Sequence, residues 1–151
     1  MSIEQNVQVV KDFFAATGSG DRQRLMSLCA EDVEWIIPGE GWALAGTHRG
    51  HAGLEELLNR SSDLETTFPE PPAFVAEGDR VLMIGRAKGK VKATDRPFED
   101  YFVFAMTVLN GKVTKIREYV DTQALARASQ PRVSEERERR NARADTRRQQ
   151  P

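Results

Sequence analysis

The chain has 151 residues, 39% of them hydrophobic, and a formal net charge of −1. This length and hydrophobic content are sufficient for one globular domain with a buried core. The balanced charge gives no reason to expect nucleic acid or a membrane as a partner, and no apolar run approaches the roughly 18 residues of a membrane span. The only cysteine, Cys29, excludes an internal disulfide and a cysteine-based metal site, so we expect a cytoplasmic protein.

The first half of the chain predicts three helices and one short strand. Apolar residues at helical spacing predict a helix over residues 3–16, and Asp21 is expected to cap a second, shorter helix. The segment "VEWIIP" predicts a strand with Trp35 and Ile37 on one face. The segment "GEGWALAGTHRG" (residues 39–50) is predicted to be a loop because it has four glycines, and "HAGLEELLNRSSDL" a third helix.

From residue 72 onwards the pattern changes to strands. The segment "AFVAEGDRVLMIGRAKGKV" predicts two strands joined at "EGD", and "PFEDYFVFAMTVLNGKVTKIREYV" predicts a hairpin that turns at Asn110 and Gly111. Helices followed by an antiparallel sheet indicate an α+β fold, with the helices covering one face of a curved sheet.

Alternation along "KIREYVDT" places Glu118 on the same face as Ile116 and Val120, which should be the dry face. A two-residue turn at "NG" would pair Phe104 with Arg117 and bury a charge. A three-residue turn instead pairs Phe102 with Glu118 and Asp100 with Val120, which separates polar from apolar side chains better. We therefore predict the three-residue turn.

In this register Asp100 and Glu118 lie near each other on an aromatic, apolar face. Two carboxyl groups in such a place raise the pKa of one of them through desolvation and mutual repulsion. The pair can then hold one protonated and one ionised acid near neutral pH, as acid–base catalysis requires. In the alternative interpretation, one of them pairs with Arg80 or Arg86 and only stabilises the fold.

Several other residues are candidates for the site. His48 lies in the glycine-rich loop, and histidine is the residue type most often used for proton transfer, so it is a candidate general base or substrate anchor. Trp35 and Trp42 offer flat apolar surfaces for a ring-bearing ligand, Trp42 as a lid. Phe102 and Phe104 belong to the core, and line a pocket only if the fold is hollow. The sequence has no phosphate-loop or dinucleotide motif and no metal-ligand spacing, so we expect no cofactor and no metal.

Two further surfaces stand out. Tyr101, Val103, Ala105 and Tyr119 share the outer face of the hairpin, which predicts a homodimer through the sheet. Residues 132–150 contain seven arginines and four acids and only one aliphatic residue larger than alanine, so we expect residues 129–151 to form a frayed helix or a disordered tail. An arginine-rich arm that binds a phosphate or an acidic partner is the functional alternative.

Three segments in order, "FFAATGSGDRQRLMSLCAEDVEWIIPG", "AGTHRGHAGLEELL" and "LNGKVTKIREYVDT", resemble the SnoaL-like branch of the NTF2-like superfamily. The resemblance covers roughly residues 5–128, and we place the domain at 1–128. It implies a cone-shaped barrel in which three N-terminal helices pack on a strongly curved, mostly antiparallel sheet. It also implies that Asp100, Phe102 and Glu118 look into an apolar pocket.

The resemblance allows three possible reactions to be compared, according to which of their catalytic residues this chain has. Asp100 is similar to the protonated Asp of ketosteroid isomerases, but Phe13 stands at the position of their Tyr and Ile37 at that of their base. Limonene epoxide hydrolases use an Asp-Arg-Asp arrangement, in which Leu82 here replaces one acid. The resemblance implies that polyketide cyclases of the SnoaL type use an acid–base Asp in the pocket, which Asp100 or Glu118 could supply. Of the three reactions, this one conflicts least with the residues of the chain.

The sequence therefore predicts a dimeric protein that binds a small hydrophobic molecule in a pocket closed by the 39–50 loop. As an enzyme it would be a cofactor-free isomerase or cyclase, with Asp100, Glu118 and His48 as catalytic residues. The expected substrate-binding residues are Phe13, Trp35, Ile37, Trp42, Phe102 and Phe104. The alternative is a non-catalytic ligand-binding or dimerisation module of the same fold.

Overall fold

The computed structural model describes residues 2–131 and 133–148. Within these residues the chain forms five helices: α1 (Ile3–Ser19), α2 (Arg22–Ser27), α3 (Gly50–Ser61), α4 (Thr122–Ser129) and α5 (Val133–Arg148). It also forms seven strands: β1 (Cys29–Ile37), β2 (Gly46–Arg49), β3 (Leu64–Thr67), β4 (Ala73–Glu77), β5 (Arg80–Val91), β6 (Arg96–Leu109) and β7 (Lys112–Tyr119).

The seven strands make one curled sheet that does not close on itself. Its order is β2-β1-β7-β6-β5-β3, and β4 pairs with the same strand β5 as β3 does. Strands β1 and β7 run parallel, and the other pairs are antiparallel. The predicted α+β fold with a curved, mostly antiparallel sheet is confirmed, and the helices α1, α2 and α3 occur in the predicted order.

Helix α1 packs its apolar stripe into the curl of the sheet. Ser2 and Gln5 form a capping box at its start, and Gly20, with a φ of 71°, ends it in the left-handed conformation. Val10 and Phe13 are completely buried in a core that also includes Trp35 and Ile116. The helix therefore fixes the concave side of the sheet as the dry side, where burial of apolar surface stabilises the fold.

The β6–β7 hairpin corrects the predicted register. Asn110 and Gly111 both have positive φ and form the two-residue turn, so the three-residue turn was wrong. A bulge at Thr114 then shifts the ladder by one residue, and Glu118 pairs with Phe104 instead of Phe102. From Lys115 to Tyr119 this register differs from the predicted one by two residues, so these side chains stay on the predicted face.

Three elements were missed by the sequence analysis. Half of the predicted 39–50 loop is structured, because β2 pairs with β1 and sets His48 opposite Trp35. Strand β3 adds to one end of β5; the predicted third helix ended at Leu64, and residues 65–67 were assigned to no element. Helix α4 packs Leu125 and Ala128 against Phe98.

The predicted tail contains the end of α4 and the whole of α5. The side chains of residues 137–148 in α5 are all exposed, in keeping with a segment too polar to bury surface. Arg132 and residues 149–151 of the predicted tail lie outside the described residues. The domain boundary at residue 128 remains a prediction.

Candidate functional site

Glu118 lies on β7 with its side chain on the concave face and only 8% of its surface exposed. Its Oε1 accepts a hydrogen bond of 2.7 Å from the indole Nε1 of Trp35. Desolvation raises the pKa of Glu118 to about 8; the Trp35 hydrogen bond lowers this pKa and the negative charge of Asp100 raises it. Glu118 is therefore a protonated carboxylic acid at neutral pH.

Asp100 lies on the neighbouring strand β6 and is also buried. Its Oδ1 accepts a hydrogen bond of 2.7 Å from the backbone N–H of Asp121, where β7 gives way to α4. Burial raises the pKa of Asp100, although the backbone hydrogen bond opposes this shift by stabilising the ionised form. Both carboxyl groups thus occupy the dry face, as the strand alternation predicted.

Neither carboxyl group belongs to a salt bridge among the described residues. Arg86, one of the two predicted alternative partners, pairs with Glu70 and Glu99 on the surface instead. Glu118 Oε2 has no described hydrogen-bond partner. Every side-chain oxygen of the described residues that is sealed from solvent does have one. Oε2 is therefore open to solvent or to a ligand.

Aromatic side chains form a continuous series behind Glu118. Trp35 contacts Phe13 at 5.6 Å and Phe104 at 6.5 Å between ring centroids, and Phe104 contacts Phe102 at 5.1 Å. Ile37 is buried in the same core. These residues were predicted to bind substrate, and the structure brings them together on the concave face. Phe13 is completely buried, so it supports the other rings from behind.

His48 and Trp42 are both held by backbone carbonyls. His48 Nε2 donates to the carbonyl oxygen of Leu44 at 2.9 Å, since a carbonyl oxygen only accepts. Trp42 Nε1 donates to the carbonyl oxygen of Pro38 at 3.1 Å, and its half-buried ring packs against the core. These bonds order the segment between β1 and β2, and no described hydrogen bond joins His48 to either carboxyl group.

A groove of about 610 Å³ opens at the end of β7. Glu118 contributes to its lining together with Ile36, Tyr101 and Thr122. Tyr101 lies on the outer face of the sheet, so the groove is open towards that face. The groove thus opens on the outer side of the sheet, while the aromatic rings lie on its concave side.

The remaining chemistry-bearing residues offer no second site. No group of three or more His, Cys, Asp or Glu that could hold a metal ion occurs in residues 2–131 and 133–148. Cys29 is buried, and desolvation raises the pKa of its thiol to about 12, which leaves it unreactive. Sequence reasoning missed Phe14, Phe68 and Phe74, whose rings lie near Phe102; Phe68 follows a strand too short to be recognised.

The helices packed in a curled sheet, with two carboxyl groups on the concave face, define a protein of the NTF2-like class. The family model for the SnoaL-like domain matches residues 10–116, and the chain belongs to this family. A search of curated proteins finds no match. None of the helices in the described parts of the chain is both long and apolar enough to cross a membrane.

Solved structures support the same class. An NTF2-like protein from Burkholderia xenovorans LB400 is 62% identical, with a TM-score of 0.83 over 86% of this chain and 99% of that chain. TerC, crystallised with polyporic acid, is 27% identical, with a TM-score of 0.72 over 83% and 98% of the two chains. A candidate polyketide cyclase from Xanthomonas campestris pv. campestris shares the fold, at 17% identity and a TM-score of 0.72 over 85% and 98%.

Proposed function

We propose that this protein is a cofactor-free acid–base catalyst, an isomerase or a cyclase, for a small hydrophobic molecule that carries a carbonyl group. Glu118 is the proton donor and Asp100 is the base. Trp35, Phe102 and Phe104 supply the apolar surface around them, and Phe13 and Ile37 support that surface. His48 and Trp42 order the 38–48 segment beside the site.

The observation that carries this proposal is the state of Glu118. A carboxyl group with a pKa of about 8, bonded to an indole N–H and next to a second acid, is an acid held ready to donate a proton at neutral pH. Structural carboxylates are normally paired with cations, and this pair is not. Burial of two unpaired acids costs stability, which argues for a role beyond the fold.

The two groups can act together on a carbonyl compound. Asp100 takes a proton from the carbon beside the carbonyl while Glu118 gives its proton to the carbonyl oxygen, which leaves a neutral enol. Isomerisation follows when a proton returns at another carbon. Cyclisation follows when the enol carbon attacks a second carbonyl of the same molecule. Membership of the SnoaL-like family and the likeness to TerC favour ring-forming or ring-bearing substrates.

The test is turnover of a panel of ketones and polyketide-like diketones by the wild type and three variants. Glu118→Gln and Asp100→Asn each remove one proton-transfer group at nearly constant volume, so we expect turnover to fall by about 10²–10⁴-fold. Glu99→Gln, on the exposed face of the same strand β6, is the control and should retain activity. Full turnover by Glu118→Gln would contradict the proposal.

The competing function is a binding module without catalysis. Phe13 and Ile37, which are both buried in the core, stand where the family resemblance places polar groups of ketosteroid isomerases. A ligand that binds the wild type, Glu118→Gln and Asp100→Asn equally well, with no turnover by any of them, would favour this module over the enzyme.

We also propose that the protein is a homodimer through the outer face of the sheet. Four of the seven exposed large hydrophobic side chains in the described residues, Val75, Ile84, Tyr101 and Tyr119, lie on this face. Beside them, Glu34 pairs across the sheet with Lys115, so the margin carries both signs of charge and suits a second copy. Sedimentation should show a dimer for the wild type and a monomer for Tyr119→Asp.

A further inference from the structure

The edge of the sheet is interrupted between β3 and β4. Both strands pair with β5, but the β3 ladder ends at Thr67 and Lys88, and the β4 ladder begins at Ala73 and Ile84. The five residues 68–72, which we call the strap, cross the gap opposite residues 85–87 of β5. Among the described residues no backbone hydrogen bond joins the strap to β5.

The sequence of the strap, "FPEPP", explains the gap. Pro69, Pro71 and Pro72 have no backbone N–H and have fixed φ angles, so they cannot extend a ladder along β5. Prolines in three of five positions therefore keep this stretch of the edge unpaired. The gap is a property of the sequence, not of one conformation.

Behind the strap lies a group of partly exposed aromatic rings. Phe14, Phe74 and Phe104 pack against the core and are nevertheless only half-buried. Phe68, on the strap, is 50% exposed and contacts the buried ring of Phe102 edge-on at 5.6 Å. The concave side behind the strap is therefore lined by aromatic rings that are not completely sealed from solvent.

These rings connect the surface to the proposed acid. Phe102 contacts Phe104 at 5.1 Å, and Phe104 contacts Trp35 at 6.5 Å. Trp35 in turn donates its N–H to Glu118. Phe104 is also the cross-strand partner of Glu118, so the last ring of the series lies beside the acid.

The strap is held by contacts that break easily. Glu70, whose side chain is 61% exposed, pairs with Arg86 at 2.6 Å, and Arg86 also pairs with Glu99 at 2.8 Å. Exposed ion pairs of this kind contribute little and are screened by salt. Helix α4, by contrast, buries Leu125, and Arg96 at the start of β6 donates to two carbonyl oxygens at its end, so it is held more firmly.

We propose that the strap is the gate through which a hydrophobic, ring-bearing molecule reaches the interior, and that Phe68 is the side chain it displaces and then packs against. A ligand ring can replace the edge-on contact of Phe68 with Phe102 by an equivalent one, which makes the exchange nearly neutral. This inference rests on the proposed function for the claim that the molecule binds beside Glu118. The claim that it enters at the strap rests on the strap alone.

The experiment measures how fast acrylamide, a small neutral quencher, reaches Trp35. A Trp42→Phe background leaves Trp35 as the only tryptophan. Phe68→Ala should raise the bimolecular quenching constant at least threefold, and Phe68→Leu by less. Leu109→Ala is the matched control, because Leu109 is 46% exposed at the distant hairpin tip, and it should leave the constant unchanged.

Two further variants separate the gate from general loosening. Glu70→Gln removes the ion pair and keeps every ring, so its quenching constant should also rise, and added salt should raise that of the parent but not that of Glu70→Gln. Leu125→Ala loosens α4. Equal constants for Phe68→Ala and Leu109→Ala would overturn the gate, as would a rise in Leu125→Ala alone.

The same variants distinguish this inference from the proposed function. If quenching follows the Phe68 series while Glu118→Gln retains full turnover, the gate stands and the catalytic proposal fails. If quenching is the same in all variants while Glu118→Gln loses turnover, the catalytic proposal stands and the gate fails.

Discussion

Replacing Glu118 by glutamine should make the protein more stable, and increasingly so as the pH rises. Glutamine has nearly the same shape and keeps an oxygen that accepts the Trp35 N–H, but it cannot ionise. The structure raises the pKa of Glu118 from 4.5 to about 8 because the ionised form is poorly solvated in the core. The free energy of unfolding of the wild type therefore decreases over the pH range in which Glu118 is ionised in the unfolded state and protonated in the folded state.

The magnitude follows from proton linkage. Below about pH 4.5 Glu118 is protonated in both states, and it does not affect the free energy of unfolding. Between pH 4.5 and about 8 the unfolded state is ionised and the folded state is not, so stability falls by about 1.4 kcal/mol per unit. Relative to its value at pH 4.5, Glu118→Gln should gain about 3 kcal/mol at pH 7 and about 5 kcal/mol above pH 8.

Urea unfolding followed by tryptophan fluorescence at pH 5, 7 and 9 measures this difference. One protein concentration is used throughout, because the proposed dimerisation would make stability depend on concentration. Glu99→Gln is the control, and it should lower the free energy of unfolding where Glu118→Gln raises it. Arg86 holds the pKa of Glu99 below its ordinary value, so Glu99 stabilises the fold above that value and loses this effect as the pH falls. A difference between Glu118→Gln and wild type that stays constant from pH 5 to 9 would refute the assignment of a desolvated acid.

Three other predictions follow from the same contacts. Turnover should fall as the pH rises through about 8, because Glu118 then loses the proton it donates, and a pH–rate profile measures this. Trp35→Phe removes a hydrogen bond that lowers the pKa of Glu118, so the alkaline fall of that profile should move to higher pH. Gly89→Ala should destabilise the fold by about 2 kcal/mol or more, because its Cβ would lie 1.8 Å from the carbonyl oxygen of Glu65. Thermal unfolding measures that loss, and Gly18→Ala, which has no atom within 4 Å of the added Cβ, should not show it.

The faces of the strands were predictable from the sequence, but the cross-strand pairs were not. The two-residue turn by itself would have set Arg117 opposite Phe104 and turned Glu118 to the other face, because a one-residue slip exchanges the faces. The bulge at Thr114 shifts the ladder by one further residue, which returns Glu118 to the predicted dry face. The bulge at Thr114 leaves no clear mark in the sequence, since threonine suits a regular strand equally well. The register therefore needed the structure, although the predicted face of the two acids was right.

The surroundings of the acids were less predictable than their face. The hydrogen bond from Trp35 to Glu118 depends on the parallel pairing of β1 with β7, which joins distant parts of the chain. Strand β3 is only four residues long, and periodicity over so short a run cannot separate a strand from the end of a helix. For the same reason, the sequence did not predict the strap or the position of Phe68, because both are defined by where β3 ends and β4 begins.

The contact between Asp121 and Asp100 has a consequence for how this site can drift in evolution. Asp121 uses its backbone N–H to bind Asp100 and its carboxylate to cap α4 through the N–H of Ala124. The first bond survives any replacement of Asp121 except proline, whereas the cap survives only as serine, threonine or asparagine. The proposed base is thus supported by a main-chain donor that amino-acid substitution leaves in place, whereas the side chain at position 121 caps the helix and, through its negative charge, raises the pKa of Asp100.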